Sequence, residues 1–165
     1  MSVAELSDAL TFFGATGDLA YKKVFPALQW LVKHNQLDIP VIGVARPGWS
    51  IERLRERMKD SLTEHADFDP AAFDKLCKLL RYCEGEYSEP KTFDRLREML
   101  GSAKRPLHYL AIPPSMFAQV VSELGRSGCA NGARVVVEKP FGRDLHSARE
   151  LNRALKRVFP EASIF

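Results

Sequence analysis

A chain of 165 residues, 45% hydrophobic and 27% charged, carries enough apolar material for one globular core, and a single domain over residues 1–165 is expected. Its net charge of +3 comes from 24 basic and 21 acidic residues spread along the whole length, which excludes the clustered basic surface that nucleic acid or a membrane would need. Cys77, Cys83 and Cys129 are odd in number and lack metal-ligand spacing, Met1 to Leu10 carries Glu5 and Asp8, and no apolar run reaches about eighteen residues. No metal site, disulfide framework, leader or membrane span is therefore expected, and the setting is expected to be reduced and cytoplasmic.

The first predicted strand, Ala9 to Phe13, runs through Gly14-Ala15-Thr16-Gly17-Asp18-Leu19 into a helix predicted over Leu19 to Lys33. A strand that turns on two glycines into a helix is the build of a phosphate cradle. Gly14 permits the sharp turn, Gly17 permits close approach of backbone, and the helix start offers unpaired N–H groups and a positive dipole end. The second strand, Val41 to Ala45, ends on Arg46. In a dinucleotide fold that tip faces the adenine ribose, where a carboxylate selects NAD and an arginine accommodates the 2′-phosphate of NADP. Arg46 therefore predicts NADP.

A helix follows over Ser50 to His65, whose Arg53, Arg55, Arg57 and Lys59 alternate with Glu52, Glu56 and Asp60 and read as a solvated, self-paired face. Asp69-Pro70 marks the start of a helix to Leu79, with a capping carboxylate ahead of an N1 proline. The third strand, Leu80 to Cys83, leads to a helix over Pro90 to Leu100 and a fourth strand over Leu107 to Ile112. Pro113 and Pro114 cannot donate to a ladder and halt that strand, either as a rigid loop or as part of a ligand edge. Ser115 to Ser127 forms the next helix, closed by Gly128, and Val135 to Glu138 the fifth strand, followed by Lys139 and a last helix over Leu145 to Val158. Lys139 could be a surface ammonium or a cation placed between pyrophosphate and an anionic substrate. His34, His65, His108 and His146 are too scattered for a local motif and read as surface or satisfied core.

Strands alternating with helices predict an α/β fold, a doubly wound parallel sheet of Rossmann type. The sixth strand usual in that fold is missing from the pattern, and apolar Ile164-Phe165 at the end suggests a chain cut from something longer.

Three segments together resemble one family. Gly14-Ala15-Thr16-Gly17-Asp18-Leu19-Ala20 with Lys22-Lys23, Tyr109-Leu110-Ala111-Ile112-Pro113-Pro114, and Glu138-Lys139-Pro140-Phe141-Gly142 are similar to motifs of the NADP-binding half of glucose-6-phosphate dehydrogenase. The resemblance implies that Gly14, Ala15, Thr16, Gly17, Asp18 and Leu19 form the pyrophosphate turn and that Arg46 is the 2′-phosphate partner. It places Glu86 and Tyr87 near adenine and Ile112 and Pro113 along the coenzyme, with Lys139 touching both nicotinamide and sugar phosphate and Lys139-Pro140 a cis peptide. It further implies glucose 6-phosphate as substrate, oxidised to the lactone at the entry to the pentose phosphate pathway, and a homo-oligomeric whole protein.

In the family a histidine oriented by an aspartate removes the hydroxyl proton, and the R-I-D-H-Y-L-G-K segment that grips the sugar phosphate would begin after Phe165. No catalytic residue is therefore expected within this chain, which would bind NADP without turnover. A standalone NADP-binding module and a glucose-fructose oxidoreductase type of enzyme are the competing readings; the latter normally shows G-x-G-x-x-G at the first turn.

Overall fold

The computed structural model describes residues 6–138 and 144–165. Five short strands, β1 (Ala9–Phe13), β2 (Val41–Ala45), β3 (Leu80–Glu84), β4 (Pro106–Leu110) and β5 (Arg134–Val137), pair in parallel in the order β3-β2-β1-β4-β5. Between them run α1 (Phe25–Lys33), α2 (Ile51–His65), α3 (Pro70–Leu79), α4 (Pro90–Leu100), α5 (Phe117–Ser127) and α6 (Leu145–Val158).

Successive strand residues point to opposite faces, and this alternation sorts the core. Phe12, Val41 and Ala45 pack with α1, α2 and α3, while Phe13, Ile42 and Val44 pack with α4, α5 and α6. With both faces covered, every residue of Val41–Ala45 is buried, which is why the strands read as continuous apolar runs instead of alternating ones. The doubly wound Rossmann-like sheet is thus the observed fold. Its order reverses between β1 and β4, and the carboxyl ends of those two strands open the crevice where such sheets bind ligands.

Several boundaries differ from the sequence reading for physical reasons. The helix expected over Leu19 to Lys33 is instead a π-helical turn, Ala20–Val24, leading into α1, with the Phe25 N–H bonded back to the Ala20 carbonyl. Pro26 has no N–H to continue an α ladder, and the wider turn absorbs it. Strand β4 stops at Leu110 because β1 and β5 both end at that level, opposite Leu110 through Phe13 and Val137. Strand β5 starts at Arg134 and ends before Glu138, and β3 extends to Glu84 opposite Ala45. Ser50 caps α2 from outside, accepting from the Arg53 N–H at 3.1 Å, and a 3₁₀ turn, Pro114–Met116, precedes α5. Asp69 and Gly128 serve as the expected caps, Asp69 accepting from Ala71 and Ala72 and Gly128 turning at φ +83°.

The described sheet has five strands, without the sixth, as expected, but residues 164 and 165 pair with its edge. Ile164 bridges Val135 in parallel, the Phe165 N–H donates to the Val135 carbonyl at 2.9 Å, and the Val137 N–H donates to the Phe165 carbonyl at 3.0 Å. These residues lie along the outer edge of β5 as an isolated bridge.

Candidate coenzyme site

An open cleft of about 730 Å³ lies over the carboxyl ends of β1, β2 and β4, a volume in the range of cofactor sites. Its floor is the turn that follows β1. Gly14 has φ +81°, and a Cβ on it would come within 2.1 Å of the Ala111 carbonyl oxygen, so only glycine fits between β1 and β4. Gly17 has ordinary φ, and a Cβ there would meet nothing nearer than the Gly14 oxygen at 3.3 Å. A side chain at Gly17 would need the Gly14 carbonyl to give by a few tenths of an ångström, a far smaller shift than at Gly14, and would narrow the approach to the turn.

The Gly14 N–H is shared between the Val44 carbonyl at 3.0 Å and the Tyr87 hydroxyl at 2.7 Å, and the Ala15 N–H also goes to Val44. Tyr87 in turn donates its O–H to the Val44 carbonyl at 3.1 Å and leans against Phe13 with ring centres 5.8 Å apart. Burial pushes its pKa up to about 12, against the opposing pull of the Gly14 N–H and Arg46, so it stays a neutral donor. One hydroxyl therefore braces the start of the turn across β2. Beyond it, Gly17 accepts from the Tyr21 N–H at 3.2 Å, the first bond of the helix. The N–H groups of Asp18 and Leu19 belong to the first turn, where no acceptor exists within the helix, and both residues line the cleft.

Arg46 is exposed at the tip of β2 on the cleft's rim, its backbone carbonyl held by the Tyr82 hydroxyl. Ile112 and Pro113 form the opposite wall together with Ala111 and Met116. Gly14, Thr16, Gly17, Asp18, Leu19, Arg46, Tyr87, Ile112 and Pro113 are thus brought together as the sequence implied. Ala15 and Glu86 are not. Ala15 is fully buried under the turn among the residues packed around Phe12, and Glu86 points to solvent while its carbonyl accepts from the Thr92 hydroxyl. Lys139 and the Lys139-Pro140 bond lie outside the described residues. Next to them, the Glu138 carboxylate accepts a hydrogen bond from the Tyr109 hydroxyl, which raises the tyrosine's pKa further than burial alone would.

Sequence reasoning missed Trp49, which walls the cleft beside Arg46. It also misjudged the basic run on α2. The Arg53 guanidinium lies 4.1 Å over the Trp49 ring, and Arg55 donates to the Cys77 carbonyl at 3.2 Å. Arg57 donates to the Gly17 carbonyl at 3.3 Å. A capped helix directly after β2 necessarily lays one face along the loop at its tip, and an aromatic in that loop draws guanidinium groups onto its ring. Trp49 between Arg46 and the Ser50 cap was the available signal.

None of the four histidines lines the cleft. His34 stacks on Trp30, His65 meets the edge of Tyr21, and His146 pairs with Glu150. His108 is wholly buried within the sheet. Among the described residues no group of three or more His, Cys, Asp or Glu could hold a metal ion, and no helix is long and apolar enough to cross a membrane.

The family of the glucose-6-phosphate dehydrogenase NAD binding domain matches residues 11–165, nearly the whole chain. The chain belongs to that family. Among curated relatives, glucose-6-phosphate 1-dehydrogenase 1 of Mycobacterium tuberculosis is 44% identical over 158 residues, covering 96% of this chain and 34% of its own length. The Caenorhabditis elegans glucose-6-phosphate 1-dehydrogenase is 37% identical over 93% of this chain and 32% of its own length. Among solved structures, the Mycobacterium avium enzyme superposes with a TM-score of 0.92 at 41% identity, over 97% of this chain and 35% of that one. A glucose-6-phosphate dehydrogenase in complex with its substrate glucose-6-phosphate matches at TM-score 0.87 and 35% identity, over 99% of this chain and 37% of that one. The chain therefore spans about a third of the length of the dehydrogenases it matches. Family membership separates it from the glucose-fructose oxidoreductase reading.

Proposed function

We propose that this chain is the coenzyme domain of an NADP-dependent glucose-6-phosphate 1-dehydrogenase. The observation that carries the reading is that the braced glycine turn and Arg46 open into one cleft, at the switch point of the sheet. The turn offers backbone N–H groups and a helix dipole to a pyrophosphate, and Arg46 offers a planar guanidinium to a phosphate on the adenine ribose. The pyrophosphate and the 2′-phosphate, of which only the second distinguishes NADP from NAD, thus find donors in the same cleft.

Bound there, NADP supplies the hydride acceptor for oxidation of glucose 6-phosphate to 6-phosphogluconolactone, the first step of the pentose phosphate pathway. The chain's own residues bind and orient. Gly14 and Tyr87 set the turn and Ile112 and Pro113 close the side, while contact with the coenzyme and the sugar phosphate is assigned to Lys139 on the family resemblance alone. The proton acceptor, the sugar-phosphate grip and the surface for homo-oligomer formation are assigned to the part of the relatives' length that this chain does not span. Three free cysteines support a reduced cytoplasmic setting.

The test is twofold. The 165-residue chain should bind NADP in a titration yet form no NADPH absorbance with glucose 6-phosphate, while the full-length protein does both. A positioned base contributes roughly 10² to 10⁴ in rate, and without the sugar-phosphate grip as well the chain should show no turnover above background. Failure of the chain to bind NADP, or turnover by it after further purification, would overturn the assignment.

A further inference from the structure

Arg57 stands outside the cleft wall, yet each contact recorded for its side chain leads to the phosphate turn or to the cleft. Its Nη2 donates to the Gly17 carbonyl at 3.3 Å, the same carbonyl that accepts the helix's first bond from Tyr21. The guanidinium lies 4.6 Å from the centre of the Tyr21 ring and 5.8 Å from that of Trp49, whose ring Arg53 also covers. A single planar group thus ties the second glycine of the turn to the aromatic wall beside Arg46.

Electrostatics makes the position unusual. A cation beside a helix N-terminus opposes the dipole. The Arg57 Nε is buried without a hydrogen-bond partner, and no ion pair among the described residues includes this side chain. Its recorded partners are a carbonyl and two ring faces, none of them anionic, and an anion held by the N–H groups after Gly17 would bring an opposite charge to it. Stacking between two rings keeps the guanidinium there, and only a flat guanidinium can stack and donate at once.

We propose that Arg57 is a positioning residue of the dinucleotide site: it fixes Gly17 and Trp49 in one geometry and lends its charge to the pyrophosphate without touching it. The proposal rests on the coenzyme reading above. It differs from the role of Arg46 in a measurable way, because the pyrophosphate is common to NADP and NAD whereas the 2′-phosphate is not.

The experiment compares Arg57→Ala, Arg57→Lys and Arg46→Ala in the full-length protein, with NADP and NAD titrated by calorimetry and by the fluorescence of Trp49, isolated as the difference from Trp49→Phe. Arg57→Ala should weaken both coenzymes by the same factor, about tenfold, and shrink the Trp49 response at saturation. Arg57→Lys, which keeps the charge but not the flat fork, should recover less than half of that loss on a logarithmic scale. Unchanged affinity, a loss confined to NADP, or full rescue by lysine would each overturn the proposal. Should Arg57→Ala fail to melt cooperatively, Arg57→Gln, which keeps a donor for Gly17 but not the charge, serves in its place with the same expectations. Absence of coenzyme binding by the unmodified protein would instead remove the coenzyme reading itself.

Discussion

Strand β1 holds two polar arrangements three residues apart that solve opposite problems. At its middle, Thr11 pairs in register with His108 of β4, and both side chains are completely buried. His108 Nε2 lies 2.8 Å from the Cys129 carbonyl, which can only accept, so that nitrogen carries the proton and Nδ1 accepts from the Thr11 hydroxyl at 2.6 Å. Every hydrogen-bonding group there is answered from within. At the carboxyl tip, Gly14 is answered by Val44 and Tyr87, but the helix start beyond Gly17, whose first N–H groups have no acceptor within the helix, lines the cleft. Internal satisfaction yields stability, and donors left open at a rigid edge yield a binding site.

The largest expected effect sharpens the boundary between the two. Gly14→Ala forces an unfavourable φ and drives a methyl into the Ala111 carbonyl, and should destabilise the fold on the order of 3 to 4 kcal/mol, lowering Tm by about 10 °C. A melt unchanged by this substitution would show that the turn is not clamped between β1 and β4.

Acid should act on the middle of the strand. Burial pulls the pKa of His108 from 6.5 to about 4, so between these values the unfolded chain binds a proton that the folded chain refuses. Stability is therefore full above pH 6.5 and falls as pH drops through this window, by about 3 kcal/mol at its lower end. Denaturant melts from pH 7 to 4 measure this, and His108→Gln should flatten the dependence. A slope unaltered by that substitution would break the assignment of a neutral, internally satisfied histidine.

Arg46→Ala tests the open end. Losing a charge-assisted contact to the 2′-phosphate should cost about 2 to 3 kcal/mol, one to two decades of NADP affinity, with NAD affinity nearly unmoved. Equal losses for the two coenzymes would refute it. The smallest effect is the most discriminating: Gly17→Ala should cost about tenfold in binding of either coenzyme while Tm moves by about 2 °C or less. A reversed outcome, lost stability with normal binding by the folded fraction, would make Gly17 another Gly14.

How much of this was legible beforehand follows the range of the forces involved. The strand and helix pattern, the caps at Asp69 and Gly128, the glycine turn and the arginine at the tip of the second strand all depend on neighbours in sequence, and composition and periodicity expose them. Even the helix after the turn was visible in place, although Pro26 converts its first part to a π turn. The motif residues were legible as a set, yet Ala15 went to the core and Glu86 to solvent, since which side of a short turn faces a cleft depends on what packs beneath it.

What the chain alone determined about this protein is its fold class, its family and the principal elements of a dinucleotide site, because glycine conformational freedom, strand alternation and helix capping are local properties of the backbone. Only the tertiary structure decided that Tyr87 braces Gly14 across β2, that His108 is a satisfied core group, that Trp49 walls the cleft and that Arg57 reaches Gly17, contacts whose partners lie 73, 97 and 40 residues apart where a side-chain bond joins them. No local rule encodes such pairs. They exist because a parallel sheet brings distant strand ends to one edge, and the side chains that arrive there must satisfy one another or remain open to a ligand.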